Sequence, residues 1–275
     1  TKEKGDFDQV ELARMMVGRE IGDFYPPKRA QRSGEPLLEV KGASVAGFVQ
    51  DAGLVVRPGE IVGLAGLIGS GRSELAEAIV GARKLSNGTV TLEGKKVNIN
   101  SVKDALRLGI AYVSEDRKGT GLHVDLDVVA NTTLANLRAY CHPLVSAKLQ
   151  AKRTEEWKRD LDIRAGDLRA DVTFLSGGNQ QKVAVAKWLD TKPRVLILDE
   201  PTRGVDVGAK REIYNLIQRL ADEGMACIVI SSELPEIVGV CERVIVMREG
   251  RVMGELTGDE ISEENIMLRA AGVAA

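Results

Sequence analysis

The sequence predicts an α/β layered core with a helical insertion, and three observations carry that prediction. An apolar run, Ile61–Ala65, leads directly into a glycine-rich turn, and a helical pattern opens at Arg72. Short apolar strands alternate with an amphipathic helix between Val195 and Ile230. From about residue 125 to 190 the pattern is helical and more polar. At 275 residues, 44% of them hydrophobic and 28% charged, the chain can bury a sizeable core and reads as one domain with additions. Aromatic residues are only 4%, so that core is expected to be aliphatic.

Residues 1 to about 24 read as a short helix, with Phe7, Val10, Ala13, Met16 and Val17 at helical spacing before Gly18. Phe7, Leu12, Met16, Val17 and Gly18 also stand in register with Ile261, Ile266, Ala270, Ala271 and Gly272. Residues 1–35 are therefore expected to be the tail of a preceding, similar domain plus a linker, the latter being the Pro-, Lys-, Ser- and Gly-rich stretch Pro26 to Pro36. The main domain is expected over 36–275.

Within it, short strands are expected around Leu37–Val40, Leu54–Val56, Thr89–Leu92 and Val97–Asn100, and a buried one at Ile110–Val113. A helix fits Arg72–Val80, with Leu75, Ala76, Ile79 and Val80 on one face. The charged stretch Lys148–Arg164 reads as a solvated helix of the insertion, within which Trp157 and Trp188 are expected to pack. Val195–Leu198 and Ala226–Ile230 are apolar strands flanking a helix over 208–221, where Ile213, Leu216, Ile217 and Leu220 recur at helical spacing. Val244–Met247 and Arg251–Glu255 read as a hairpin about Glu249-Gly250, and Thr257-x-x-Glu260 resembles a capping box for a final helix.

Charge and composition exclude several function classes. Lys and Arg number 38 against 40 Asp and Glu, a net of -2, which argues against a nucleic-acid or anionic-membrane surface as the main partner. Cys141, Cys227 and Cys241 include no C-x-x-C pair, so small buried hydrophobes in a reducing compartment are expected rather than disulfides or a zinc site. His123 and His142 are too few and too isolated for a histidine-based metal site or triad. No apolar run reaches the roughly 18 residues a membrane span needs, and the charged Lys2-Glu3-Lys4 leads into no signal-peptide core. A soluble, cytosolic piece of a longer chain is expected, since the sequence begins at Thr1.

Three segments carry candidate chemistry. Gly66-Leu67-Ile68-Gly69-Ser70-Gly71-Arg72-Ser73 fits the phosphate-binding pattern G-x-x-x-x-G-K-[ST] except at Arg72, and it follows a strand and opens a helix as that pattern requires. Glycines let the backbone wrap tightly enough to aim its N–H groups at phosphate oxygens, and the helix dipole behind them favours an anion. Ser73 is placed to ligate Mg²⁺. Arg72 substitutes a planar fork for the compact lysine charge, so a γ-phosphate is expected to be held differently. Val195–Leu198 then ends in Asp199, expected on Mg²⁺, and Glu200, expected to orient or deprotonate an attacking water. Leu175-Ser176-Gly177-Gly178-Asn179-Gln180 opens a further helix and forms a second anion nest. Two nests are redundant in one domain unless the second serves a phosphate held by a neighbouring molecule.

At these residues the chain resembles an ABC-type ATP-binding cassette: Leu175–Gln180 matches the family signature, and the three motifs arrive in the family's order over roughly residues 37–257. Tyr112-Val-Ser-Glu115-Asp116-Arg117-Lys118, Pro201-Thr-Arg-Gly-Val-Asp206 and Ser231-Ser232-Glu233-Leu-Pro-Glu236 resemble the second cassette of tandem monosaccharide-import ATPases. The resemblance implies a P-loop NTPase core with a small antiparallel β subdomain and a helical subdomain over about 125–190. It implies ATP and Mg²⁺ as cofactors, and as partners a first cassette in the same full-length chain, a membrane permease and, indirectly, a periplasmic sugar-binding protein. It also implies a peripheral position on the cytoplasmic face of the inner membrane. Two cassettes of this family meet head to tail, so Ser176, Gly177, Gly178, Asn179 and Gln180 are expected to complete the ATP site of the first cassette. Asp206 is either at that boundary or simply a helix-terminal acid.

The departures from the family pattern carry the expected mechanism. Glu115 stands where a glutamine is usual, Ser232 where a histidine is usual and Arg72 where a lysine is usual, while the adenine-stacking aromatic has only Phe48 as a candidate. The chain's own pocket is expected to bind nucleotide and turn it over slowly, with the isolated chain a monomer of weak or no ATPase activity. A regulatory half that binds but never hydrolyses ATP is the alternative, and nucleoside or autoinducer importers share the pattern, because an ATPase of this kind never touches the cargo. A chromosome or DNA-repair ABC protein is disfavoured by the net charge and the lack of zinc cysteines or long heptad arms. A GTPase is disfavoured because no N-K-x-D motif occurs.

Overall fold

The computed structural model describes residues 24–141 and 143–273; the helix read over residues 1 to about 24 and its repeat of the carboxyl end fall, but for Phe24, outside the described residues. In chain order come β1 (Leu38–Val45), β2 (Val49–Val56), β3 (Ile61–Gly66), α1 (Arg72–Ile79), β4 (Asn87–Leu92), β5 (Lys95–Val97), α2 (Val102–Arg107) and β6 (Ile110–Val113). Then follow α3 (Val128–Thr133), α4 (Ala147–Asp160), α5 (Gly177–Leu189), β7 (Val195–Asp199), α6 (Val207–Asp222), β8 (Ala226–Ile230), α7 (Leu234–Val240), β9 (Arg243–Arg248), β10 (Arg251–Thr257) and α8 (Glu263–Ala271).

The larger sheet has the order β10-β9-β3-β8-β7-β6, parallel throughout except for the β9–β10 hairpin. Because side chains alternate along a strand, each central strand feeds two cores. Ile61, Ala65, Leu196, Leu198, Cys227 and Val229 face one core with residues of α3, α5, α6, α7 and α8. Val62, Leu64, Val195, Ile197, Ile228 and Ile230 face the other with α1, α2 and the smaller sheet. Burial on both faces explains why these strands read as unbroken apolar runs. The smaller sheet is antiparallel, ordered β2-β1-β4-β5.

The structure extends or corrects several sequence expectations. The first two strands run farther, to Val45 and from Val49, because they pair with each other as neighbours. The strand expected at Val97–Asn100 is instead Lys95–Val97. Ile99 continues the apolar alternation, yet the chain there is already entering α2, whose N-cap Ser101 accepts from the Asp104 N–H. Thr257 and Glu260 do form a capping box, but it closes a 3-10 turn at Gly258–Glu260, and the final helix is capped by Ser262 accepting from the Asn265 N–H. Gly272 ends that helix with φ 75°, a left-handed conformation glycine adopts at no steric cost. Helices α2 and α7, six and seven residues long, are too short to show a helical period.

The 125–190 region combines α3, α4 and α5 with 3-10 segments at Leu134–Tyr140, directly after α3, and at Val172–Phe174, and Asp190 holds it together. Its carboxylate, 1% exposed, accepts from Tyr140 Oη at 2.6 Å, Arg153 Nε at 3.0 Å and Trp157 Nε1 at 3.0 Å, while its carbonyl accepts from Asn136. Three donors, one of them the Arg153 cation, satisfy a buried carboxylate that would otherwise lose its hydrogen bonds to water. Trp157 and Trp188 both pack against the core, and α4 buries only Thr154. That leaves most of its charge solvated, as its composition predicts.

The Pro-rich stretch before β1 is docked. Tyr25 stacks on Tyr214 of α6 with ring centroids 5.3 Å apart, Phe24 meets the same ring edge-on at 5.8 Å, and Gln218 donates to the Pro27 carbonyl. Arg29 reaches Glu242 at 2.8 Å and Asp222 at 3.0 Å. Arg29→Ala therefore strands the Glu242 carboxylate, whose side chain is 2% exposed, and should cost about 3 kcal/mol in urea unfolding. An unchanged urea midpoint would mean that the Arg29–Glu242 pair contributes nothing to the fold.

Candidate functional site

Polar groups concentrate at the carboxyl ends of β3, β8 and β7, where an open α/β sheet exposes its loops. After β3 the chain turns through Gly66, Gly69 and Gly71 with φ 154°, 79° and 94°. A Cβ on Gly66 would lie 2.3 Å from the Met247 carbonyl oxygen, and one on Gly71 2.8 Å from that of Phe48. The loop thus requires glycine for close approach as well as for dihedral freedom. Leu67 and Ile68 are exposed, Ser70 is buried with no partner for its hydroxyl, and Gly71 gives α1 no side-chain cap. The first amides of α1 consequently have no side-chain acceptor, the condition under which a helix start receives an anion.

Arg72 is buried and does not point out of this loop. Its Nη1 donates to the Ser231 carbonyl at 2.6 Å, spanning from α1 to the end of β8. Burial lowers its pKa, while Glu200 and Asp199 pull in the opposite direction. The next residue, Ser232, donates from Oγ to Glu200 Oε2 at 3.1 Å. The structure therefore brings together the two residues taken from separate motifs. Glu200 itself has φ 48°, a left-handed backbone costing of order 1 kcal/mol, held by its N–H donating to the Ile230 carbonyl at 2.8 Å.

Asp199 has no solvent exposure. Tyr112 of β6 donates to its Oδ2 at 2.8 Å, and Oδ1 has no partner. Burial pushes the carboxyl up to about 6, against the lowering pull of the Ser73 and Tyr112 hydroxyls beside it. An orphaned buried carboxylate oxygen next to a serine hydroxyl fits a hard divalent cation, which takes oxygen ligands. Glu115, after β6, is exposed and paired with Arg203 at 2.8 Å. Phe48 is 46% exposed on the β1–β2 turn, with the Arg83 guanidinium 4.7 Å over its ring.

The second glycine corner lies at the start of α5. Exposed Ser176 is the N-cap, accepting from the Asn179 N–H at 3.4 Å and its side-chain amide at 2.9 Å. Asn179 Oδ1 accepts from the Arg164 N–H, and buried Gln180 donates to the Leu175 carbonyl at 3.1 Å. A Cβ on Gly178 would come within 2.4 Å of Ala209 Cβ, so glycine is what lets α5 meet the start of α6. Asp206 caps α6 through the Ala209 N–H at 3.0 Å, the helix-terminal role.

Residues 49–203 match the family model for ABC transporters. The chain belongs to that family, as an ATP-binding domain. It is 47% identical, over 98% of its length, to a ribose import ATP-binding protein of Rubrobacter xylanophilus, and 45% identical over 97% to one of Bacillus subtilis. In each case it spans 54% of the relative, about half the length of the curated proteins it matches. A solved ATP-binding cassette of an ABC transporter shares the fold with a TM-score of 0.74 at 20% identity, covering 86% of this chain and 99% of that one. Among the described residues no helix is long and apolar enough to cross a membrane.

Sequence reasoning gave no role to three side chains of the cassette's site region, although Tyr112 and Arg117 lie in a motif it singled out. Tyr112 reaches Asp199 because β6 lies beside β7 in parallel register, which no local pattern reveals. Arg117 donates to the Gly177 carbonyl at 3.2 Å, tying the turn after β6 to the second glycine corner. Lys187 secures the same turn through the Gly121 carbonyl, and burial lowers its pKa to about 8.

The Asp199 carboxyl also fixes a pH dependence. Its pKa is raised on folding from 3.8 to about 6, so its ionisation opposes folding, a cost absent below 3.8 and complete above about 6. Without Mg²⁺, Asp199→Asn should be more stable than the parent at pH 7.5, by at most about 3 kcal/mol. That advantage should shrink as pH falls to 5; a gap independent of pH in thermal melts would refute this assignment.

Proposed function

We propose that this cassette energises import of a monosaccharide through a membrane permease, and that its own pocket is the weaker of two ATP sites. The curated relatives carry ribose import in their names, and they are about twice as long, which supports a tandem arrangement with a first cassette in the same full-length chain. In that arrangement residues 1–35 are a tail plus linker and 36–275 the cassette, with a helical subdomain over about 125–190. The assembly sits on the cytoplasmic face of the inner membrane and receives sugar from a periplasmic binding protein.

In the own site, Gly66 to Ser73 cradle the phosphates, and Ser73 and Asp199 hold Mg²⁺, which when bound neutralises phosphate charge. Glu200 is placed as the general base, with Glu115 at the loop that senses the phosphates. Its partner is Ser232, and a hydroxyl cannot take up and return a proton near neutrality as an imidazole can. Arg72, fixed by the Ser231 carbonyl, meets the phosphates with a planar fork in place of a compact lysine charge. Positioning and proton-handling groups contribute about 10²–10⁴-fold each, so turnover here is slow while binding persists.

The observation that carries the proposal is the corner of Ser176, half-buried Gly177 and buried Gly178. Its serine is exposed and its glycines are fixed by packing from behind, as a donor surface for a phosphate on another cassette requires. Asn179 and Gln180 brace it, and Asp206 stands beside it at the cassette boundary.

Steady-state phosphate release by the full-length protein carrying Glu200→Gln tests the division of labour. A severe loss supports shared catalysis, and little change supports a regulatory half. Restoring Arg72→Lys together with Ser232→His should raise turnover several-fold in the same assay; unchanged turnover would overturn the degenerate-site account.

A further inference from the structure

We infer that Glu236, a buried carboxyl with no role in the site as assembled so far, is a positioning residue that holds Arg72 in the nucleotide pocket through Ser231. Glu236 lies in the first turn of α7 and is 1% exposed. One oxygen accepts from Ser231 Oγ and the other from Thr202 Oγ1 at 3.2 Å. Both donors are themselves buried, Ser231 at 0% and Thr202 at 1%. A single carboxyl thus clamps the loop after β7 to the corner after β8. Ser231 is bound at both ends: its hydroxyl goes to Glu236, and its carbonyl accepts the Arg72 guanidinium at 2.6 Å. The Ser231 hydroxyl also accepts from the Glu233 N–H at 3.0 Å, which fixes the corner further.

The chemistry favours a hydrogen-bonding rather than a charge role. Burial pushes the Glu236 carboxyl up to about 7, against the Ser231 and Thr202 hydroxyls and Lys210, with Glu233 adding to the rise. Tyr25 and Tyr214 face it from the stretch before β1 and from α6. With its pKa at about 7 the carboxyl is about half protonated at pH 7, and that protonated form is imitated by a glutamine amide, which keeps an acceptor for one hydroxyl and offers a donor to the other oxygen.

The inference rests on the reading of this pocket as a nucleotide site, and its test separates the two. Binding of a fluorescent methylanthraniloyl-ATP with Mg²⁺ to the 275-residue chain is measured for the parent, Glu236→Ala, Glu236→Gln, Arg72→Ala and the double variant Glu236→Ala/Arg72→Ala. Glu236→Ala and Arg72→Ala should each weaken binding about tenfold, the scale of one hydrogen bond to a charged group. Glu236→Gln should stay within about twofold of the parent. The double variant should bind no more weakly than Arg72→Ala, because Glu236 acts through that guanidinium. Losses that multiply in the double variant, or a glutamine as damaging as the alanine, would overturn the inference while leaving the pocket intact. Absence of binding by the parent would overturn the pocket reading and this inference with it. Should Glu236→Ala fail to fold in circular dichroism, Ser231→Ala removes the same link from the other side and carries the same expectations.

Discussion

Burial of β3, β8 and β7 on both faces drives the polar groups of these strands to their carboxyl ends. Each strand is apolar to its last residues and then changes character abruptly: glycines after β3, two serines after β8, two acids at the end of β7. Parallel pairing aligns the three ends side by side. The candidate site follows from that alignment, since its residues come from strand ends and the segments after them, Tyr112 inside β6 being the exception.

Close approach is the second recurring device. Gly66 against Met247, Gly71 against Phe48 and Gly178 against Ala209 each admit a contact that a β-carbon would block. Two of these shape the chain's own loop, and the third seats the second glycine corner on α6. Glycine here is chosen for the space it leaves, and in the first two cases for its positive φ as well.

Much of the architecture could be read without coordinates. The strands at Ile110–Val113 and Ala226–Ile230 have the expected ends, and the helix over 208–221 grows by one residue at each end. These segments are either wholly buried or strongly amphipathic, so their local pattern and their environment agree. Val97–Asn100 failed for the opposite reason. An alternating pair, Val97 and Ile99, packs against the core on either side of a strand end, and period alone does not distinguish that from a longer strand. The capping box at Thr257 was correctly seen as a cap, but its helix proved to be a single 3-10 turn.

Sequence alone determined which residues could carry chemistry, because glycine loops, terminal acids and capping serines declare themselves by type and spacing. It also marked Pro26 to Pro36 as lacking regular structure, because prolines break helices and strands. Tertiary structure alone decided who meets whom: Ser232 on Glu200, Arg72 on the Ser231 carbonyl, Tyr112 on Asp199, Glu236 between Ser231 and Thr202. Apart from the bond between Glu236 and nearby Ser231, those pairings join residues 32 to 159 positions apart. Strand order and register set them, and both are outcomes of packing the two cores rather than of any local preference of the chain.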